Sequence, residues 1–464
     1  MSDLKKQFEK FFYPKSIAVV GASEKAGKIG AEIFRNLAFY DYEYKDRVYP
    51  VNPKHEKIMG IKAYPRIEDI PDEVDLAVVS IGAKFIPDLV ESCGKKGIKN
   101  MVIVSGGFKE LGTEEGKEYE QRMIENAKKY GVRLIGPNCI GVLNAEIGLD
   151  TFFQSHEHMI RPKPGNIAFL TQSGTFGCSF LEWAAESPVG ISKFVSYGNR
   201  SDVDEADLIT YLDQDEKTKV IAIYMEGLSD GRKFMNAAKK ITKHKPIVVL
   251  KAGRSKAGAK AAVSHTGWLG GSEKIYDAAF KQSGIIRVNN FEELFDASKA
   301  ISMQNYAKGP RIGLVSNGAG PMIMAIDEIE RRNLELPSLS ENIEKELKEK
   351  LPPFYIVHNP VDITGSATPR DYEIVLEHLA KDPNIDILMP FFVFQNTLID
   401  ESIVDVMEKI NKLGKPVVGG AAGGPYTKKI SEAIESVGVP MYPIAERVVA
   451  AAHALYINGR NLNK

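Results

Sequence analysis

"NIAFLTQSGTFG", residues 166–177, settles the architecture of this chain of 464 residues. An apolar run with strand character breaks at Gln172-Ser173-Gly174 into a segment that should start a helix. A strand that turns through Ser and Gly directly into a helix opens a βα unit. The same arrangement recurs as VVGASEKAGKIG (19–30) and LVSNGAG (314–320). Three such openings in a chain of this length predict three α/β domains of roughly 150 residues each.

The surrounding runs extend the pattern. SIAVVGA, RVYPVN, LAVVSI, NMVIVSG and RLIGPN alternate with amphipathic segments in the first block. SKFVSYGN, KVIAIYMEG, PIVVLKAG and GIIRVNN continue the second, and IDILMPFF and KPVVGGAA the third, which ends in a helix near Arg460. The prolines and glycine of RPKPGN (161–166) read as a linker, and AKGPR (307–311) marks another boundary. The expected domains are residues 1–145, 146–305 and 306–464, each with a parallel sheet.

Composition narrows the class. An apolar fraction of 44% and a charged fraction of 26% are those of a soluble globular protein. A formal net charge of −1 argues against nucleic acid or an anionic membrane as the main partner. The start, MSDLKKQFEKFFYPKS, lacks a signal-peptide core, and no apolar run reaches the roughly 20 residues of a membrane span. Cys93, Cys139 and Cys178 fit no metal spacing and suit a reducing compartment. A cytoplasmic protein with no metal of its own is expected.

Each opening turn presents backbone N–H groups at a helix N-terminus, where the dipole favours an anion. In the first block, Gly21, Ser23, Gly27 and Gly30 do not spell GxGxxG. The second strand ends at Asn52-Pro53-Lys54, without the acid a nicotinamide nucleotide wants for its ribose diol. A cation there suits a phosphorylated ribose, so NADP and coenzyme A both qualify. Ser80, Ser105 and Gly106–Gly107 follow later strands and belong at the carboxyl edge, where ligands bind in such sheets.

In the second block Gln172, Ser173, Gly174 and Thr175 offer hydroxyl and backbone donors to a phosphate. Glu226 of YMEGL ends a strand of the same sheet. AAVSHTGWLGG (261–271), with His265, follows the next strand and so emerges at the same edge. A carboxylate holding one ring N–H of an imidazole frees the other nitrogen to attack. From Lys251 to Gly271 the chain has ten Gly or Ala residues and no proline, a mobile composition that suits a carrier better than a general base. His156 and His158 read as solvated loop residues, Asp204 as a helix cap and Asp362 as a turn former.

GASEKAGKIG, GPNCIGVLN, TQSGTFG, GNRSDVDEADL, YMEG, KAGR and SHTG occur in this order over nearly the whole chain. Together they resemble the α subunit of ADP-forming acyl-CoA synthetases (acetate–CoA ligases), relatives of succinyl-CoA synthetase. The resemblance implies a Rossmann-like CoA-binding domain followed by two flavodoxin-like domains. It makes His265 a phosphohistidine and Glu226 its orienting carboxylate. Phosphate would lie at Gln172, Ser173, Gly174 and Thr175, and coenzyme A along Gly21, Ser23, Lys54, Ser80, Ser105 and Gly106. Trp268 stands where the family usually has a small residue. The chain contains neither an ATP-grasp domain nor the P-loop pattern GxxxxGK[ST]. The resemblance therefore implies a separate ATP-grasp β subunit carrying Mg-ADP or Mg-ATP, in an α2β2 heterotetramer. Two competing readings are a non-catalytic CoA-binding regulatory or scaffold protein and an NADP-dependent oxidoreductase.

Overall fold

The computed structural model describes residues 3–255, 257–258 and 273–462. Three sheets organise them. The first is parallel, in the spatial order Val48–Val51, Ile17–Val20, Leu76–Val79, Asn100–Ile103, Arg133–Ile135. Both faces are covered by helices, so its strands carry continuous apolar runs instead of alternating ones. All four residues of Ile17–Val20 and of Leu76–Val79 are buried. The chain leaves Ile17–Val20 in one direction and reaches Leu76–Val79 from the other side. The carboxyl ends of these two strands therefore flank the point where strand order reverses.

The second sheet has seven strands, in the order Ile286–Val288, Ile247–Lys251, Val220–Met225, Pro164–Thr171, Ile191–Ser196, Gly141–Asn144, Leu149–Asp150. Thr171 is in register with Ser196 on one side and Tyr224 on the other, so three strand ends align at one edge. Gly141–Asn144 runs antiparallel to Ile191–Ser196, although it lies ahead of residue 146 in the chain. The presumed linker is already structured: Pro164–Asn166 begin a strand, and Arg161 binds Asp150 at 2.7 Å. Gly165 is there for contact, since a Cβ on it would overlap the backbone of Gly190. The third sheet, Val361–Asp362, Ile312–Ser316, Ile387–Phe391, Gly419–Gly420, Met441–Tyr442, is parallel throughout.

Compactness divides the chain into two units, Met1–Ile241 with Val249–Arg287, and Thr242–Val248 with Val288–Lys464. In the first, the helix Asp3–Phe12 turns its aromatic stripe inward, and Phe12 stacks on Tyr211 with centroids 4.8 Å apart. The buried Lys193 ammonium donates to the Tyr13 hydroxyl at 2.9 Å beside Asp215. His156 is not a solvated residue: its ring stacks on Tyr40 at 3.9 Å and hydrogen-bonds Asp150 at 3.0 Å. His158 is exposed. The Asp204 carboxylate accepts from the Asp207 N–H and caps Glu205–Asp213, and Asp362 accepts from Thr364 N–H to order its turn.

Among the described residues no helix is long and apolar enough to cross a membrane. No group of three His, Cys, Asp or Glu among them could hold a metal ion. The three cysteines are free thiols, and burial pushes Cys139 up to about 12.

Candidate active site

The reversal point of the first sheet is closely packed. Gly21 takes φ +92°, and a Cβ on it would lie 2.7 Å from the Ser80 carbonyl oxygen and 2.9 Å from Ser80 Oγ. Glycine is needed both for the left-handed backbone and for this approach. Ser80 N–H donates to Val20 O at 2.9 Å, so the two turns are hydrogen-bonded to each other. Asn52 ties in the second strand: its Nδ2 donates to Ala22 O, and its Oδ1 accepts from Lys54 N–H, both at 2.9 Å. The Lys54 side chain is left exposed at the mouth of a cavity of about 630 Å³, lined also by Pro53, His55, Glu56, Lys57 and Lys62. Ser23 accepts from Lys25 N–H at 3.1 Å. Gly21, Ser23, Ser80 and Lys54 thus share one carboxyl edge.

Ser105 and Gly106 follow the strand Asn100–Ile103 at that edge. Ser105 O accepts from Asn138 N–H at 2.9 Å. The next two amides are engaged, because Glu110 Oε1 accepts from Gly107 N–H at 2.6 Å and Phe108 N–H at 3.1 Å. Glu110 Oε2 accepts from Asn199 Nδ2 at 2.6 Å. Burial raises the Glu110 acid, but these hydrogen bonds from Asn199, Gly107 and Phe108 outweigh it and hold the carboxyl below its ordinary range. Sequence reasoning passed over Glu110 and Asn199. Asn199 lay in a quoted motif, and only the fold brings the two together.

At the edge of the second sheet the helix Gly174–Ala185 begins one residue after Ser173. Ser173 caps it, accepting from Phe176 N–H at 3.5 Å, while Thr171 Oγ1 closes the preceding turn through Ser173 N–H at 3.0 Å. The Gly174 and Thr175 amides, in the first helical turn, have no intrahelical acceptor. A Cβ on Gly174 would lie 2.7 Å from Ile140 Cγ2, so a larger residue here would have to displace the Ile140 side chain. Gln172 serves differently from its neighbours. Its Oε1 accepts from Gly227 N–H at 3.1 Å and from Glu226 N–H, and its Nε2 donates to Gly227 O at 3.2 Å and Glu205 Oε1 at 3.3 Å. Both ends of its amide bind protein, so it is a strut between the cradle and the Glu226 turn.

Beneath that strut lies an ion pair that sequence reasoning did not single out. Arg200, buried and left-handed at φ +48°, donates to Glu205 Oε1 at 2.5 Å and to Gly227 O. Burial raises the Glu205 acid, and Arg200 opposes that shift. Glu226 itself is half-buried at the end of Val220–Met225. Nearby, burial pushes the Lys251 ammonium down, with Glu273 and Glu226 pulling the other way. His265 and Trp268 lie outside the described residues.

Residues 15–145 match the CoA binding domain family, 164–301 the succinyl-CoA ligase like flavodoxin domain, and 312–463 the Ligase-CoA domain. The chain is 42% identical to acetate–CoA ligase [ADP-forming] II subunit alpha of Pyrococcus furiosus, over 97% of this chain and 98% of that one. The chain belongs to the ADP-forming acetate–CoA ligase α-subunit family. Another relative, the acetate–CoA ligase [ADP-forming] I of Archaeoglobus fulgidus, is 41% identical over 96% of this chain, which spans 63% of the relative's length. The dinucleotide forming acetyl-coenzyme A synthetase 1 of Ca. Korarchaeum cryptofilum, solved with phosphate and ADP, shares 37% identity and superposes with a TM-score of 0.90. That match covers 98% of this chain and 97% of the other. The oxidoreductase reading falls away, because the turn at Gly21 lies within the match to the CoA binding domain. The inert scaffold reading is likewise disfavoured, since these relatives are named as ligases.

Proposed function

We propose that this chain is the catalytic α subunit of an acid–thiol ligase interconverting acyl-CoA, ADP and phosphate with carboxylic acid, ATP and CoA. One observation carries the reading. Glu226 and the first-turn amides of Gly174 and Thr175 follow neighbouring strand ends at one sheet edge, and Gln172 binds the backbone N–H groups of Glu226 and Gly227. An anion site beside an acid is what a phosphohistidine needs: donors for the phosphoryl oxygens, and an acceptor to hold one ring N–H.

Coenzyme A lies along the first sheet's edge, with Lys54 facing the phosphorylated ribose and Gly21, Ser23 and Ser80 along the chain of the ligand. Ser105 and Gly106, nearest the second sheet, take the thioester end. A phosphate oxygen attacks the thioester carbonyl; the C–S bond breaks, and CoA leaves as the thiol with the phosphate's proton. A His265 nitrogen then attacks phosphorus, the acyl carboxylate departs, and Ser173, Gly174 and Thr175 hold the phosphoryl oxygens. In the last step an ADP oxygen takes the phosphoryl group and frees the imidazole.

The nucleotide and its Mg²⁺ belong to a partner, an ATP-grasp β subunit in an α2β2 assembly. The Pyrococcus relative's name as subunit alpha supports a second chain, and the Archaeoglobus relative's extra length supports a fused counterpart. The reducing cytoplasm suits the three free thiols. Incubation with acetyl-CoA and labelled inorganic phosphate tests the reading. Acid-labile, base-stable label on the wild type that is lost in His265→Ala is the expected result. Coenzyme A binding without label would favour a scaffold, and label persisting in His265→Ala would move the chemistry to another residue.

A further inference from the structure

Asn199 and Arg200 are adjacent, yet each holds a different ligand turn. Asn199 Nδ2 donates to Glu110 Oε2 at 2.6 Å, and Glu110 Oε1 gathers the Gly107 and Phe108 amides just after Gly106. Asn199 Oδ1 accepts from Asn138 Nδ2 at 3.3 Å, and the Asn138 N–H donates to Ser105 O. Arg200 reaches the opposite way, to Glu205 and to the carbonyl of Gly227 beside Glu226.

The loop bearing both is rigidly made. Gly198 and Arg200 both take φ +48°, and left-handed backbone is uncommon for a residue with a Cβ. Such conformations persist where surrounding contacts over-determine them, and they cluster at functional sites. Asn199 N–H donates to Pro137 O and Arg200 N–H to Tyr197 O, both at 2.9 Å. A Cβ on Gly198 would overlap the carbonyls of Pro137 and Asn138, so the backbones there are in contact. A single planar peptide joins Asn199 to Arg200, and these contacts hold the backbone on both sides of it.

We infer that Asn199 and Arg200 are positioning residues that set the Ser105–Gly107 turn and the Glu226–Gly227 turn in one frame, fixing the proposed thioester end and the Glu226 turn at a constant separation. The inference rests on the roles proposed above for Gly106 and Glu226. Neither residue touches the reacting atoms in this assignment.

A double-variant cycle on the full chain tests it, reading the initial rate of labelling from acetyl-CoA and labelled inorganic phosphate, and the KM for acetyl-CoA. Both contacts leave one guanidinium nitrogen, and Arg200→Lys keeps the charge but ends one atom short of it on an unbranched, more flexible stem. It should slow labelling about tenfold with the KM changed less than twofold. Asn199→Ala should raise the KM about fivefold and also slow labelling at saturating acetyl-CoA. With a shared frame, the double variant loses about as much rate as the worse single variant. Losses that multiply, or a single variant matching wild type in both readouts, overturn the inference. If Arg200→Lys does not fold, Glu205→Gln replaces it in the cycle with the same expectations. An unlabelled wild type would sink the underlying reading and this inference with it, whereas a labelled wild type with multiplying losses overturns the inference alone.

Discussion

The side-chain carbonyl of Gln172 receives the backbone N–H of Glu226, across two parallel strands, while the Gln172 amide nitrogen holds Glu205 and the carbonyl of Gly227. One side chain thereby ties the turn after Val220–Met225 to the turn that opens the helix Gly174–Ala185. Gln172→Glu replaces the donor with an acceptor facing the Glu205 carboxylate and the Gly227 carbonyl. We expect a loss of about 3 kcal/mol in thermal unfolding and a clear fall in labelling rate, with Gln172→Met milder in both. Equal stability of Gln172→Glu and wild type would refute the strut.

Gly30 and Gly27 share the first turn but not its constraints. A Cβ on Gly30 would overlap the Gly21 carbonyl and lie 2.7 Å from Ser80 Oγ, whereas nothing lies within 4 Å of one on Gly27. Gly27→Ala pays only for its left-handed φ of +76°, about 1 kcal/mol. Gly30→Ala should cost about 3 kcal/mol and abolish coenzyme A binding by calorimetry. Similar effects from the two substitutions would mean that the turn opens freely.

Lys54 offers a cation with no ion pair among the described residues, at a cavity shared with Lys57 and Lys62. Lys54→Ala should weaken coenzyme A about tenfold, or ~1.4 kcal/mol, and leave dephospho-CoA nearly unchanged. An equal loss for both ligands would place the phosphorylated ribose elsewhere.

His453 makes the second unit sensitive to acid. Burial, with Arg332 and Arg460 nearby, pushes its pKa down to about 4, against about 6.5 in the unfolded chain. The folded state prefers the neutral ring. Its contribution is therefore complete above about pH 6.5 and is lost as pH falls towards 4. The melting temperature of that unit should drop over this window, and His453→Gln should flatten the drop. An unchanged slope in the variant would assign the effect to carboxylates.

The sheet strands and opening turns were legible because a buried parallel strand must be apolar along its length, and glycine must stand where backbones meet. Gly21, Ser80 and the Ser173 cap follow from that local logic. Gln172 was visible as a polar residue in an anion turn, but its amide bonds residues 54 and 55 positions away, which no local pattern records. Arg200 and Glu205 were inside a quoted motif, yet their role depends on the Gly227 carbonyl arriving from another strand. Gly165 misled for a related reason: contact with Gly190 and chain flexibility both ask for the same residue. His156 misled because its partners, Tyr40 and Asp150, lie on other elements.

The antiparallel strand Gly141–Asn144 governs where the chain can be cut. It follows the last strand of the first sheet, but its hydrogen bonds go to Phe194–Ser196 of the second. A fragment ending at residue 145 would carry that strand away from its partner and strip it from the remaining piece, leaving Ile191–Ser196 as an open edge. Expression of the first-sheet fragment alone should therefore stop soon after Ile135, and the complementary fragment should begin before Gly141.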